Sequence, residues 1–473
     1  MAIDSGFFRW SAVEAVAALR RGDVSPLDLI DAAYDRIVAT NGVVNAMVTL
    51  CPDRARDHAK RLMQRPLDQR GLLCGLPIAI KDLSDVAGVR TTYGSPIFKD
   101  HVPTVSDPMV TRLEANGGIV IGMSNTPEFG AGANTFNEVF GETRNPWNTR
   151  LNAGGSSGGA AVALATGQVW LASGSDLGGS LRTPASFCSV VGLRPSPGRV
   201  ARNPGELRFD TMSVEGPMAR DVADAALMLD AMVGYDPMDP ISLPAPQESF
   251  LDAALAGTLP KRVAVSADFG ITPIDPATRA VLAAAVSKMR DAGIEVIESC
   301  PDFAGVPTAF QTLRAIDYAT SMRPLLDRYR DQLKPDVIWN IEKGLDLTPE
   351  EIGQAQRRRS RLYGDMVAFL REVDVLIAPA ACTPPRDIAE RWIQSVDGVD
   401  FENYIDWLKI ASVITVSSCP ALALPAGFTP DGRPVGLQIV GRPRGEAALL
   451  ATAKSLESLL RPAGEVPIDP RTL

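Results

Sequence analysis

Three short segments of the sequence place a lysine or a serine where chemistry could occur. Lys81 ends an apolar run, a position where a lysine either pairs with a carboxylate or has a lowered pKa. Ser156 lies in a glycine-rich segment, Gly154–Gly159, here called the first loop. Ser180 lies in another, Gly174–Ala185, here called the second loop. Glycine permits close approach of the backbone to a ligand, and consecutive N–H groups in such a turn can converge on an anion.

Each segment also has an ordinary explanation when it is considered alone. A lysine at a strand end can simply reach the solvent, and a glycine–serine loop can be a tight turn or a phosphate-binding loop. The first loop lacks the G-x-x-x-x-G-K-[ST] pattern of a P-loop, which argues against phosphate binding there.

Histidines and cysteines narrow the choice of mechanism. The chain has only two histidines: His58 in a charged helical stretch and His101 in a proline-flanked loop. Neither has a nucleophile motif beside it, so a Ser-His-Asp triad and a multi-histidine metal site are poorly supported. The six cysteines are scattered and contain no Cys-x-x-Cys pair, which favours a reduced, cytoplasmic setting over a disulfide scaffold or zinc site.

Composition excludes several classes of protein. The 473 residues are 45% hydrophobic and 22% charged, which is typical of a folded globular protein. A net charge of −9 disfavours binding of nucleic acid through a broad basic face. The basic run Arg357–Arg361 is expected on a solvated helix face. We find no secretory leader and no uninterrupted apolar stretch of membrane-spanning length, so we predict a cytoplasmic protein.

The elements around the three segments predict how they are positioned. Leu76–Ile80 and Gly118–Met123 read as strands joined by a helix over Pro108–Ala115, hence as a parallel pair. The first and second loops are joined by a helix over Ala160–Ala165 and a strand over Val169–Ser173. The two loops can therefore sit at the same edge of one sheet.

The rest of the chain continues the α/β pattern. Apolar residues at helical spacing predict N-terminal helices, and residues 304–372 read as mainly helical. The further predicted elements are helices Ser11–Arg20, Pro26–Thr40, Pro276–Ala292 and Gly445–Leu460, and strands Arg262–Ser266, Glu295–Ile297, Val373–Ala378, Pro420–Pro425 and Pro434–Val440. We predict one large α/β domain.

Taken together, the motifs resemble those of the amidase signature family. The resemblance is strong over residues 73–220 and weaker near 373–445. Besides the two loops, it is carried by Gly75–Asp82, Thr91–Ser95, Asn125–Phe129, Thr143–Trp147, Val191–Pro195, Gly216–Arg220 and Pro434–Gln438. Many members have Gly-Lys-Thr-Asn where this chain has Gly-Met-Ser-Asn at 122–125, which leaves the matching lysine, Lys81, in place.

The resemblance implies a fold and a mechanism. The fold is a single domain with a mixed central β-sheet covered by helices on both faces. Lys81 matches the family's general base, Ser156 its proton relay after a cis peptide bond, and Ser180 its nucleophile. The N–H groups of Leu177, Gly178, Gly179 and Ser180 would form the oxyanion hole. Such an enzyme cleaves a carboxylic acid amide through a seryl acyl-enzyme, without a metal or an organic cofactor.

Several neighbours of these residues receive supporting roles. Ser157 is expected to support the first loop, and Asp176 and Arg182 to brace the second. Cys188 is expected in the core. Gly130, Ala131 and Gly132 are expected to line the acyl side of the substrate pocket, where small residues leave room for a bulky or apolar group. Four aromatic residues between 304 and 410 are candidates either for the pocket wall or for ordinary packing: Tyr318, Trp339, Tyr404 and Trp407.

Within the predicted domain, 1–473, we expect N-terminal helices over 1–70, the signature core over 73–220 and a variable helical cap over the substrate site at 304–410.

Three rival functions remain. One is the glutaminase component of an aminoacyl-tRNA amidotransferase, which would need partner proteins. The others are a catalytically silent binding protein and an esterase. The expected partner is a small-molecule amide, with neither nucleic acid nor membrane. Similar enzymes often form homodimers, but the sequence does not fix the oligomeric state.

Overall fold

Capping residues explain where several helices begin. The computed structural model describes residues 6–203, 205–461 and 466–472. Ser11 starts the first helix with a capping box, in which its side chain and that of Glu14 each accept a hydrogen bond from the other's N–H group. Ser25 and Thr348 start two longer helices in the same way, each followed directly by a proline. These side chains satisfy N–H groups that a helix leaves unpaired at its start.

The helices are distributed along the whole chain. The described residues form these α-helices: α1 (Ala12–Arg21), α2 (Pro26–Val44), α3 (Pro52–Met63), α4 (Pro108–Ala115), α5 (Gly158–Ala165), α6 (Arg182–Cys188), α7 (Val222–Met232), α8 (Phe250–Ala256), α9 (Pro276–Asp291), α10 (Val306–Tyr329), α11 (Pro335–Leu345), α12 (Pro349–Glu372), α13 (Lys409–Val416) and α14 (Glu446–Leu460). Short 3-10 helices cover Phe7–Arg9, Leu67–Gln69, Pro96–Phe98, Glu128–Gly130, Arg330–Gln332 and Asp406–Leu408.

The strands alternate with these helices. They are β1 (Met47–Leu50), β2 (Pro77–Lys81), β3 (Ile119–Ser124), β4 (Phe136–Asn137), β5 (Gly141–Glu142), β6 (Leu171–Asp176), β7 (Val191–Arg194), β8 (Val214–Ala219), β9 (Arg262–Val265), β10 (Glu295–Glu298), β11 (Val375–Pro379), β12 (Ser395–Val396), β13 (Val399–Asp400), β14 (Ala421–Phe428) and β15 (Pro434–Val440).

One mixed sheet of 11 strands organises the described part of the chain. Its order is β1-β3-β2-β6-β8-β7-β14-β15-β11-β9-β10. Strands β3, β2 and β6 run parallel, as do β11, β9 and β10 at the other end. The remaining neighbours pair antiparallel. The single-domain α/β fold with a mixed central sheet is therefore confirmed.

Hydrophobic cores lie on both faces of the sheet. Successive residues of a strand point to opposite faces. In β11, Val375 and Ile377 belong to one buried cluster, whereas Leu376 and Ala378 belong to another. The first cluster includes the small-residue helix α5 and the second includes Phe310 of α10. Helices thus cover both faces, and the sheet is the middle layer.

The predicted β-α-β units form, with shifts at their ends. Strands β2 and β3 are parallel and joined through α4, and β9 and β10 are parallel and joined through α9. The strand predicted over Val169–Ser173 instead spans Leu171–Asp176, so the start of the second loop belongs to β6. Part of the predicted solvated run Arg357–Arg361 is also less exposed than expected, because Arg359 lines a cavity. No helix in the described ranges has the length and apolar character needed to cross a membrane.

The close packing of α5 leads to a stability prediction. A Cβ atom added to Gly159 would lie 2.2 Å from the main-chain nitrogen of Asn125. We expect Gly159→Ala to lower the free energy of unfolding by about 2–3 kcal/mol or more, because a clash with backbone cannot relax cheaply. Gly364 in α12 has open space around its Cβ position. Gly364→Ala should therefore raise stability by about 0.5–1 kcal/mol. Urea denaturation measures both; equal effects would contradict the packing argument.

Candidate active site

Lys81 lies at the carboxyl end of β2 and is fully buried. Its Nζ atom is 2.7 Å from Ser156 Oγ, 2.9 Å from Ser157 Oγ and 3.0 Å from Ser175 Oγ. Its main-chain N–H donates to the hydroxyl of Ser173 in the adjacent strand β6 (3.0 Å). The sheet therefore fixes the main chain of Lys81, and three hydroxyl groups hold its Nζ atom.

The charge state of Lys81 is set by this environment. Burial lowers the pKa of the Lys81 amine from 10.5 to about 7, because an ammonium ion loses its hydration. The carboxylates of Glu215 and Asp176 act in the opposite direction but do not cancel the effect of burial. Among the described residues, no carboxylate forms an ion pair with Lys81. A substantial fraction of this amine is thus uncharged near neutral pH.

The first loop brings Ser156 against that amine. The peptide bond between Gly155 and Ser156 is cis, as the family resemblance implied. Thr135 closes the loop, because its hydroxyl donates to the Gly154 carbonyl (2.9 Å) and accepts from the Gly158 N–H (3.1 Å). These bonds hold both ends of the loop, so Ser156 presents its hydroxyl toward Lys81.

The second loop is anchored by a buried carboxylate. Asp176 accepts from the N–H groups of Gly179 (2.9 Å) and Leu181 (3.2 Å). Its oxygens also lie 3.0 Å from two guanidinium nitrogens of Arg182 and 3.3 Å from Arg194. All three charged side chains are fully buried. Although burial alone would raise the pKa of Asp176, the two arginines hold it well below its usual range.

This anchoring decides which N–H groups of the second loop can face a ligand. The Gly179 N–H is directed to Asp176 in this structure. The N–H groups of Leu177, Gly178 and Ser180 donate to no other group within the described ranges. The Ser180 carbonyl accepts from the Ser157 N–H (3.2 Å), which ties the two loops together. Three main-chain donors thus remain available beside Ser180.

A cavity of about 280 Å³ opens onto these loops. Ser156, Ser175 and Ser180 all contribute to its wall, so both predicted serines meet in one space. Ser180 Oγ makes no hydrogen bond to any described residue, and its hydroxyl is free to meet a ligand. The other lining residues are Leu83, Phe129, Gly130, Leu177, Arg202, Leu207, Asp210, Ser213, Asp317, Tyr318, Ser321 and Met322.

The predicted acyl-side residues divide between this wall and the layer behind it. Gly130 lines the cavity, and a Cβ atom there would lie 3.4 Å from Ser156 Oγ. Ala131 is buried behind it, and its carbonyl accepts from Lys334 Nζ (3.0 Å). A Cβ atom on Gly132 would lie 3.4 Å from the same Nζ atom. Glycine at 130 therefore keeps the approach to Ser156 open.

Of the four candidate aromatic residues, Tyr318 lines the cavity. Its hydroxyl accepts from Arg314 (3.2 Å) and donates to the Phe129 carbonyl (3.4 Å), so it also supports the wall. Trp339 and Tyr404 pack against each other, with ring centroids 5.8 Å apart. Trp407 is buried beside Phe187, and Cys188 is fully buried in the core, as expected.

The two histidines lie away from this cavity. His58 is near Glu114 (3.6 Å), and His101 stacks on Tyr93. Although His58 lies in a charged helical stretch, its side chain is only 17% exposed.

Sequence reasoning missed two serines of β6. Ser173 accepts from the main chain of Lys81, and Ser175 accepts from its amine. The signal was available, because the alternation of Ser173 and Ser175 places both side chains on the same face of one strand.

The chain resembles known proteins along most of its length. The family model described as Amidase matches residues 28–450. An acylamidase of Rhodococcus erythropolis is 35% identical over 466 residues, covering 97% of both chains. The glutamyl-tRNA(Gln) amidotransferase protein of Geotalea daltonii is 31% identical over 468 residues, covering 93% of this chain and 95% of that one.

A solved structure supports the same assignment. The crystal structure of a bacterial aryl acylamidase of the amidase signature family superposes with a TM-score of 0.88 at 28% identity, covering 95% of this chain and 96% of that chain. The chain belongs to the amidase signature family. It is an enzyme of the class that hydrolyses amide C–N bonds.

The ion cluster at Asp176 generates a testable prediction. Asp176→Asn leaves two buried guanidinium groups without their carboxylate, so we expect a loss of about 3–5 kcal/mol in the free energy of unfolding. The carboxylate's contribution is present above its unfolded pKa of about 3.8 and is lost as the pH falls below it. Asp431→Asn is the control, since Asp431 pairs with Arg433 (2.8 Å) at the surface and should cost less than about 1 kcal/mol. Chemical denaturation at pH 7 compares them; similar losses would count against a stabilising role of the cluster.

Proposed function

We propose that the enzyme hydrolyses a carboxylic acid amide through an acyl-enzyme on Ser180, with Lys81 as general base and Ser156 as proton relay. The observation that carries this proposal is the buried Lys81 amine at 2.7 Å from Ser156 Oγ, on the wall of a cavity shared with Ser180. A serine hydroxyl becomes an effective nucleophile only when a base removes its proton. The Lys81 amine, buried behind Ser156 and with a pKa of about 7, would supply that base.

The proton would pass along the hydroxyl groups. Neutral Lys81 accepts the proton of Ser156, and Ser156 in turn accepts the proton of Ser180. The Ser180 and Ser156 hydroxyls form no hydrogen bond with each other here, so the transfer requires that bond to form when substrate binds. Such tightening on formation of the substrate complex is common for general-base catalysis. Ser157 and Ser175 keep Lys81 Nζ in place throughout.

The carbonyl carbon of the amide would then be attacked by Ser180 Oγ. The oxygen of the carbonyl becomes an oxyanion, which the free N–H groups of Leu177, Gly178 and Ser180 can hold. For Gly179 to contribute as well, its N–H would have to turn away from Asp176, because it donates to that carboxylate here. We therefore assign the main stabilisation to the other three donors.

Collapse of this intermediate breaks the C–N bond. Ser156 delivers the proton to the departing amine or ammonia, and Lys81 restores the proton of Ser156. Water then attacks the acyl-enzyme, giving its proton to the same relay, and the carboxylic acid leaves while Ser180 regains its hydrogen. The sequence of steps uses one proton path in both directions and consumes one water per amide.

A second candidate function is supported by the relatives. The amidotransferase protein of Geotalea daltonii shares 31% identity with this chain over most of its length, as compared with 35% for the acylamidase. The glutaminase component of an amidotransferase would use glutamine as its amide and transfer the ammonia within a complex. We favour a stand-alone amidase, because the higher identity lies with the acylamidase and the superposed crystal structure is that of an aryl acylamidase.

The nucleophile is tested by removing its hydroxyl. Purified enzyme alone should release ammonia or amine from at least one member of a panel of aliphatic and aryl amides, and Ser180→Ala should reduce kcat by about 10⁴-fold or more. In the wild type, rapid quenching followed by proteolysis and mass spectrometry should detect the acyl adduct on the peptide containing Ser180. Ser189→Ala is a control outside the cavity and should retain activity. Turnover only of glutamine, or only with added partner proteins, would favour the amidotransferase; activity surviving in Ser180→Ala would refute the mechanism.

The charge of Lys81 gives a pH prediction. Only the neutral amine can accept a proton, so kcat/KM should fall about tenfold per pH unit below a pKa of about 7 and level off above it. Lys81→Met should abolish this limb together with most of the activity. Measuring kcat/KM for one neutral amide between pH 5 and 9 is sufficient. A flat profile over this range, or full activity of Lys81→Met, would show that another group is the base.

A further inference from the structure

Three charged side chains line the cavity that contains Ser156 and Ser180: Arg202, Asp210 and Asp317. Two of them neutralise each other, since Arg202 Nη1 lies 3.3 Å from Asp210 Oδ2. The main-chain N–H groups of residues 212 and 213 also donate to Asp210. The third charge, that of Asp317, is not accounted for by this pair.

Asp317 lies on α10, and its carboxylate has no partner in the described ranges. Its main-chain carbonyl accepts a bond from Ser321 within the helix (2.7 Å), but no donor or cation within ion-pair distance reaches its side-chain oxygens. Burial raises the pKa of Asp317 to about 7, and the nearby charge of Asp210 adds to the increase. The side chain is partly exposed and lies between this cavity and a neighbouring one, which Arg359 also lines.

The neighbouring cations are engaged elsewhere. Arg359 donates to the hydroxyl groups of Thr211 and Ser418. Arg314, one turn before Asp317 on α10, is buried and donates to Asn340 and to Tyr318. Together with Arg202, these guanidinium groups lower the pKa of Asp317 only partly. The carboxylate therefore remains available to a group that enters the cavity.

The rest of the wall around this carboxylate combines apolar side chains with serines, three of which are Ser156, Ser175 and Ser180. Its apolar members are Leu83, Phe129, Leu177, Leu207 and Met322. In such surroundings an ion pair is stronger than in water, because the local dielectric constant is lower. A ligand that matches this wall has an apolar body and one cationic group. At about 280 Å³, the cavity is at the lower end of the range for small-molecule sites.

We propose that Asp317 binds an ammonium group of the substrate, so that the enzyme prefers amides whose short apolar chain carries a protonated amine. This inference rests on the proposed function, since it assumes that the amide is cleaved at Ser180. It makes Asp317 a specificity-determining residue: the carboxylate binds the distal amine while the apolar wall covers the chain. An amide of the same shape without the charge leaves the carboxylate unpaired.

The test compares pairs of substrates that differ only in this charge. The pairs are 6-aminohexanamide with heptanamide and 4-aminobutanamide with pentanamide, and the readout is the kcat/KM ratio within a pair at pH 8. For at least one chain length we expect the amino amide to be favoured about tenfold or more. Asp317→Asn should reduce that ratio to about one. Asp327→Asn is the matched control, because Asp327 lies on the same helix with its side chain 65% exposed.

The pH dependence of the ratio separates Asp317 from Lys81. Both members of a pair need neutral Lys81. The pH dependence of kcat/KM that is due to Lys81 is therefore the same for both and cancels in the ratio. As the pH rises from 5.5 to 8, Asp317 ionises while the substrate amine stays protonated, and the ratio should increase. In Asp317→Asn the ratio should stay constant across this range.

Each outcome bears on one of the two proposals. Equal kcat/KM values within every pair, or a preference that survives in Asp317→Asn, would overturn the role of Asp317 and leave the amidase mechanism intact. Amide hydrolysis that persists in Ser180→Ala would instead overturn the mechanism. If none of these amides is cleaved, calorimetric titration of the enzyme with n-hexylammonium and with 1-hexanol still tests whether Asp317 binds an ammonium group. Asp317→Asn must weaken binding of n-hexylammonium alone, and equal binding of both ligands to the wild type would refute the proposal.

Discussion

The structure around the cavity depends on the burial of one primary amine, which lowers its pKa to about 7. Burial disfavours the ammonium form of Lys81, and the groups that touch its Nζ atom are hydroxyls, which stabilise that charge less than carboxylates would. The carboxylates of Glu215 and Asp176 act against this effect, and Arg182 and Arg194 neutralise that of Asp176. The same two arginines that hold the second loop therefore also limit the field of Asp176 at the lysine.

The central sheet places Lys81 and the serines around it at one edge. Lys81 and Ser175 occupy neighbouring parallel strands at the carboxyl end of each, an edge of α/β sheets where ligands commonly bind. The first loop lies at the same edge, where it leads directly into α5. The hydrogen bond from the Ser157 N–H to the Ser180 carbonyl joins the two loops. The side chains of Thr135 and Asp176 hold the two serine loops, whereas the apolar side chains of the wall come from α10 and from loops outside the sheet.

Much of this could be predicted from local sequence, and the part that could not has a physical reason. Lys81, Ser156 and Ser180 lie in segments whose glycines and strand pattern are visible in a single chain, and the two serines meet in the cavity as expected. The extent of β6 was misjudged because Gly174 and the serines beside it read as loop, although the pairing with β8 makes them strand. Asp317 could not be found in this way. It lies on a helix whose charged residues look solvated in sequence, and only tertiary packing shows which of them faces the cavity.

Arg182 of the second loop makes two hydrogen bonds to residues that are synthesised much later. Arg182 donates to the Ala411 carbonyl (2.9 Å) and to the side chain of Gln438 (2.6 Å). Strands β14 and β15, which follow Ala411, occupy the middle of the sheet between β7 and β11. A ribosome-bound chain that has exposed both serine loops still lacks these supports. The loops are therefore not fully anchored until nearly the whole polypeptide has left the ribosome. A nascent or truncated chain would contain Ser156 and Ser180 without the strands that hold their loops in place.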